Sequence, residues 1–116
     1  MHRSLALLAV IALLSVPARA ATISDRDAAT HVGEMATVVG IVTGTHVTAK
    51  GTEFLDFGGR YPNSDFTVVI FADEASQFRD IAGWYGKKVA VTGRIKLYHG
   101  RPEIVVETQG QLHVVH

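Results

Sequence analysis

The spacing of hydrophobic positions changes several times along this chain, and each change predicts an element. Residues 5–14 are an unbroken apolar run, with Arg3 before it and Ala18-Arg19-Ala20 after it. A positive start, a short apolar stretch and an A-x-A site are the parts of a cleavable export signal. Residues 1–20 are therefore expected to be a leader, with Ala21 as the first residue of the mature chain. The run is about half of the roughly 20 residues a membrane-crossing helix needs, and no second such stretch follows, so no membrane span is expected after cleavage. Ser24-Asp25-Arg26-Asp27 then sets a capping serine three residues before an acid, and with Gly33 as a stop this predicts a short helix over 25–31.

From residue 36 the pattern becomes an alternation of β-branched residues, which predicts a long first strand over 36–48. A turn at 49–52 leads to a short second strand over 54–57, ended by Gly58-Gly59, and the loop 60–65 leads to a third strand over 66–71. Asp73 is a capping residue, and Phe78, Ile81, Ala82 and Trp84 can share one side of a helix over 74–84, closed by Gly86. A fourth strand is expected over 88–98, then a tight hairpin at His99-Gly100 into a fifth over 102–108. The tail 109–116 reads as a weak extra strand or a frayed end. The expectation is an all-β domain over 36–108 with one or two short helices, in the order β-β-β-α-β-β, preceded by a lead-in at 21–35.

Val38-Val39-Gly40-Ile41-Val42 and Val91-Thr92-Gly93-Arg94-Ile95 share the spacing V-x-G-x-[VI], one copy in the first strand and one in the fourth. Glycine inside a strand weakens it unless a sharp bend or a close backbone approach requires it. A small barrel needs such bends where long strands join two sheets.

Composition narrows the classes. Loss of Arg3 and Arg19 with the leader leaves nine Lys and Arg against eleven Asp and Glu, a formal charge of −2 on 96 residues. That length supports one core rather than two domains, and the charge excludes a polycation. Cysteine is absent, so disulfide staples and cysteine-type zinc sites are excluded.

The strand order with its two glycine-bearing strands is that of the OB-fold, a five-stranded Greek-key barrel that binds oligonucleotides and oligosaccharides. Gly40-Ile41-Val42, Phe54-Leu55-Asp56-Phe57, Thr67-Val68-Val69-Ile70-Phe71 and the run from Gly86 to Ile95 resemble nucleic-acid-binding OB domains of the tRNA-anticodon-binding type. The resemblance implies a fold and a ligand class. On it, Phe54 matches the aromatic that stacks on a base, and Leu55 and Phe57 match core positions. Val68 falls where such members have a polar base-reading residue, and valine offers no hydrogen bond to a base edge. Binding without strong sequence preference is the expectation.

Single strands are held on such barrels by aromatic platforms and a cationic groove. Phe54 and Tyr98 are the expected platforms, with Tyr61 and Phe66 as further aromatic candidates. Lys50, Arg60, Lys96 and Arg101 are the expected phosphate contacts, and Arg94 is a further cation near them. The other reading of these residues is an ordinary core and solvated charges. The third strand is apolar on both faces, so Phe66, Val68 and Ile70 are either barrel interior or an exposed surface for a partner. His113 and His116, three apart on an extended chain, point to opposite faces and predict no metal site. Glu103 and Glu107 stand roughly 13 Å apart on a strand, too far for paired acid and base work, and no enzyme or cofactor is expected. Two functions remain: an exported module binding single-stranded DNA or RNA weakly, in the periplasm or outside the cell, or a module binding an envelope protein or small ligand through the same face.

Overall fold

The β-branched alternation after Gly33 forms one long strand around which the rest assembles. The computed structural model describes residues 20–116, so the expected leader lies outside the described residues up to residue 19. The strands are β1 (Ala21–Ser24), β2 (Met35–Val47), β3 (Glu53–Phe57), β4 (Phe66–Ile70), β5 (Lys88–Arg94), β6 (Lys96–Tyr98), β7 (Arg101–Val105) and β8 (Leu112–Val114). One helical turn, α1 (Ala72–Ala75), and 3-10 turns at Asp25–Thr30, Ile81–Trp84 and Gln109–Gln111 complete the described chain. No described helix is long and apolar enough to cross a membrane.

The fold is mostly β, but it has eight strands where five were expected, and their hydrogen-bonded path is open. It runs β6-β7-β4-β3-β2-β5-β8, with β1 added in parallel to β2. β2 is long enough to serve both halves: residues 35–41 pair with β5 and residues 42–47 with β3, both antiparallel. β4 pairs with β7 in parallel. The expected fourth strand is divided at Ile95, a fully buried residue, into β5 and β6; β6 ends the path on one side, and β5 is next to last on the other, inside β8. One continuous stretch thus serves both halves. His99 and Gly100, at φ of 52° and 78°, make the expected tight hairpin between β6 and β7.

The core is the inner row of each strand: Val38 and Val42 on β2, Leu55 and Phe57 on β3, Phe66, Val68 and Ile70 on β4, Val89 and Val91 on β5, and Ile104 on β7. Phe57 and Phe66 meet at 5.4 Å between ring centroids. All three of Phe66, Val68 and Ile70 are fully buried. The partner surface conceived for them is therefore corrected: they pair in register with Phe57, Leu55 and Glu53 on the inward side.

The helix expected over 74–84 is also corrected. Only Phe78 and Ile81 of its four apolar residues are buried, and Asp80 interrupts the segment in the left-handed region at φ 56°. A short helix in water depends on packing an apolar face, and two buried anchors are met as well by two separate turns. Neither Gly40 nor Gly93 marks a bulge, since the register of β2 with β5 runs unbroken through both. They allow close approach instead. A Cβ on Gly93 would stand 2.6 Å from Cγ2 of Ile104 on β7, and one on Gly40 would stand 2.7 Å from Oδ1 of Asp25. The tail forms the weak strand β8, antiparallel to β5.

The irregularity of β2 lies elsewhere, between Val42, opposite Phe57, and Gly44, opposite Asp56. Thr43 is the extra residue of a bulge. Its hydroxyl donates to the Gly59 carbonyl at 2.6 Å and accepts from the Gly59 N–H at 3.1 Å, tying the bulge to the loop after β3. A bulge shifts the alternation by one residue. Before it, Ala36, Val38 and Val42 point inward; beyond it, Gly44 and His46 share the outward side with Asp56 and Phe54.

Candidate functional site

The outer face of the sheet follows from register. Gly44, Asp56, Thr67, Glu103 and Lys96 are successive partners across β2, β3, β4, β7 and β6. His46, Phe54, Val69 and Val105 form the neighbouring row. Two connections rise beside these rows: the loop after β3, carrying Arg60 and Tyr61, and the β6–β7 hairpin, carrying Tyr98 and Arg101.

His46 lies flat on Phe54, with centroids 4.5 Å apart and planes 12° from parallel. Tyr61 tilts against His46 at 6.0 Å, and the Arg101 guanidinium stands 5.0 Å from the centre of the Tyr61 ring, within the range of cation–π attraction. Tyr98 sets an edge contact with His99 at 4.1 Å. The result is a groove of about 330 Å³ walled by His46, Phe54, Tyr61, Tyr98, Arg101 and Glu103. A second hollow of about 400 Å³ continues from it past His46 and Tyr61 to Gly44, Asp56, Arg60 and Tyr85. A larger depression of about 740 Å³ lies away from both, between the β4–β5 connection and β8, and contains none of the expected site residues.

The expected site is thus brought together in part. Phe54, Tyr98 and Arg101 share one groove, and Arg60 lines its continuation. Lys50 is at the tip of the β2–β3 turn and lines neither. Lys96 ends the outer row beyond Glu103 and lines a separate depression with Arg94 and Glu107. Arg94 is tied to the lead-in, donating to the Gly33 carbonyl at 2.6 Å. Among the described residues no three His, Cys, Asp or Glu side chains gather as a metal-holding group.

Two residues at the centre of this site escaped the sequence. His46 was one histidine among several until the bulge turned it outward. Asp56 sat unremarked between two core positions, although a carboxylate inside an otherwise apolar strand is a signal that could have marked it. It is 2 % exposed. Its Oδ2 accepts the Tyr61 N–H at 3.3 Å and lies 3.9 Å from Nδ1 of His46, while Oδ1 has no partner.

No family model matches the chain, and no curated protein matches it in sequence. Among solved structures, a crystal structure from Leishmania major Friedlin assigned as an aspartyl-tRNA synthetase is similar, with a TM-score of 0.56 and 13% identity. The likeness covers 92% of this chain and 23% of that one. The fold is OB-like. At that identity the likeness speaks for the fold alone, and the chain spans under a quarter of the structure it resembles.

Burial raises the Asp56 carboxyl above its ordinary range, against the opposing pull of the Tyr61 N–H, His46, Thr67 and Arg101. Burial likewise raises Glu53, and raises Glu103 against the pull of Lys96. A carboxyl whose native pKa is raised binds its proton more tightly folded than unfolded. Its contribution to stability is therefore full below the unfolded pKa and is lost as pH rises through the native one. Asp56→Asn should relieve this cost at pH 7. Keeping a carboxylate charged in a buried site short of partners costs about 1–3 kcal/mol, which the neutral amide avoids in part, and each kcal/mol moves the Tm of a domain this size by about 4–8 °C. The variant is expected to melt about 4 °C or more above wild type at pH 7, with the gap closing as pH falls through the raised native pKa of Asp56. Calorimetry of both proteins across that range is the check, and a variant that melts lower at pH 7 contradicts the assignment.

Proposed function

We propose that the chain is an exported OB-fold module that binds single-stranded nucleic acid across the His46, Phe54, Tyr61, Tyr98 and Arg101 groove, without a catalytic step. The observation that carries this reading is the aromatic groove itself: rings on three different segments bordered by the guanidinium of Arg101. Bases offer flat faces to such rings whatever their identity, and the backbone between them needs cations. Export is proposed from the apolar run and A-x-A site of residues 1–20.

His46 covers one face of Phe54, so the platform a base meets is a histidine–phenylalanine pair rather than the phenylalanine alone. Arg60 and Arg101 are the phosphate contacts, fewer than the sequence indicated. Two contacts at about −0.7 each give a slope of roughly −1.4 for log affinity against log salt on single strands.

Titration of a fluorescent oligothymidine at several salt concentrations tests the proposal. A stacked base is worth about 1–3 kcal/mol, so Phe54→Ala is expected to weaken binding at least about fivefold. Arg101→Ala should make the salt slope shallower by about 0.7. Absence of salt-sensitive binding at low ionic strength would remove this reading.

A further inference from the structure

The hollow beside the stacking groove has a composition of its own. Its floor is Gly44, the outer-face partner of Asp56. A Cβ there would approach Oδ2 of Asp56 to 3.0 Å and Cγ of Arg60 to 3.5 Å, so the glycine leaves the carboxylate side open from β2 and lets the Arg60 stem cross over it. Tyr61 and Tyr85, 60% and 58% exposed, line it together with Arg60. Asp56, 2 % exposed, is among its lining residues, and its Oδ1 is buried without a hydrogen-bond partner. Buried acceptors are almost always paired, and an unpaired carboxylate oxygen in a residue that lines a hollow is a group able to take a donor.

A carboxylate only accepts and a guanidinium only donates. A ligand suited to both must present N–H donors on one edge and acceptors on another, with a flat face for the tyrosines. Among the nucleobases guanine does so: its N1–H and 2-amino group are adjacent donors, and its O6 and N7 are acceptors that arginine engages in a paired fashion. Adenine and cytosine set a ring acceptor beside their amino donor, which a carboxylate repels. Uracil and thymine flank a single N–H with two carbonyl oxygens.

We propose that this hollow is a guanine-reading subsite, in which Asp56 accepts from the base's N1–H and 2-amino group and Arg60 donates to O6 and N7. The proposal rests on the single-strand reading of the adjoining groove and adds a preference to it. Arg60, a phosphate contact on a strand without guanine, swings off Gly44 to the base when guanine enters, and Tyr61 contacts the base on one side and the Phe54–His46 stack on the other. Thus the groove supplies affinity for any strand and the hollow selects one base within it.

The test compares the full-length chain on oligothymidine with the same oligomer carrying two adjacent central guanines. A paired base contact discriminates by about tenfold, so the guanine oligomer is expected to bind about tenfold tighter, while adenines at those positions give no gain. Hypoxanthine in place of guanine removes only the 2-amino donor and should forfeit a severalfold part of the gain, with no change to the protein. Asp56→Asn should lose the guanine gain, read as the ratio of guanine-oligomer to oligothymidine affinity within the variant. Equal binding of thymine, adenine and guanine oligomers, with Phe54→Ala still weakening all of them, would overturn the subsite and leave the single-strand reading intact. Failure to bind any oligomer would overturn both.

Discussion

Truncating Phe66 to alanine is expected to destabilise the protein by about 3–5 kcal/mol, the range for a large aromatic removed from a core. Phe66 is fully buried, pairs in register with Phe57 and packs on its ring at 5.4 Å. β4 is the central strand between β3 and β7, so the void would open where neighbours on both sides are already committed to the sheet and can relax little. The loss of stability should be visible as a shift of the urea midpoint without a change of slope. Tyr98→Ala is a control of similar chemistry in an exposed place, at 62% exposure, and surface changes usually stay within about 0.5 kcal/mol. A Phe66→Ala variant as stable as the Tyr98→Ala variant would contradict the burial of β4's inner row and restore a surface role to Phe66, Val68 and Ile70.

Gly93→Val is expected to cost about 1–3 kcal/mol, the range for overpacking a well-filled core. The new Cβ would lie 2.6 Å from Cγ2 of Ile104 and 3.3 Å from Nε2 of Gln111. Neither neighbour yields easily. Ile104 is fully buried. The Gln111 amide donates to the Thr92 carbonyl at 3.0 Å and accepts from the N–H groups of Glu107 and Thr108 at 2.8 and 2.9 Å, which holds the chain after β7 against β5. Gly40→Ala is expected to cost less, because its obstacle is the carboxylate end of Asp25, a partly exposed side chain able to rotate away. Urea midpoints for the two variants should therefore separate. Equal and negligible shifts would remove the argument that Gly93 exists for close approach of β5 to β7.

Both predictions bear on the same feature of the fold. β5 and β6 are one stretch of chain divided at buried Ile95, yet they lie toward opposite ends of the hydrogen-bonded path, β6 last on one side and β5 next to last on the other. Side-chain packing of β5 on β7 across the core, with Gly93 lying on Ile104, brings those ends near each other without completing the ladder.

Much of this was readable from local pattern. The alternation of β-branched residues predicted a first strand over 36–48 where Met35–Val47 forms, and Phe54-Leu55-Asp56-Phe57 and the run from Phe66 predicted β3 and β4. His99-Gly100 predicted a two-residue turn because such turns need positive φ at both positions, and both have it. The resemblance points to Phe54 as a platform, and residue type and position beside the hairpin point to Tyr98 as a stacking face and Arg101 as a cation; the three do line one groove. These signals are short-range. Period, turn chemistry and residue type are properties of neighbouring residues, and they survive whatever the rest of the chain does.

What only the tertiary structure decided was which side of each element faces inward. β4 is apolar on both faces, so periodicity could not distinguish Phe66, Val68 and Ile70 from Thr67 and Val69; pairing with Leu55 and Phe57 did. The bulge at Thr43 depends on a hydroxyl meeting the Gly59 backbone sixteen residues later, a contact that no local pattern encodes. By shifting the alternation there, it carried His46 to the outer face and onto Phe54, opposite to where an unbroken strand would have sent it. Lys50 and Lys96 look equivalent to Arg60 and Arg101 in sequence, yet only the arginines stand on segments that fold over the groove. The burial of Asp56 and its unpaired Oδ1 came only from neighbours on β2, β4 and the loop after β3 closing around it, because an unpaired acceptor is defined by what surrounds it. Element type followed from the chain's own local preferences; side, register and burial came from contacts between residues far apart in sequence, and the candidate site is made of those.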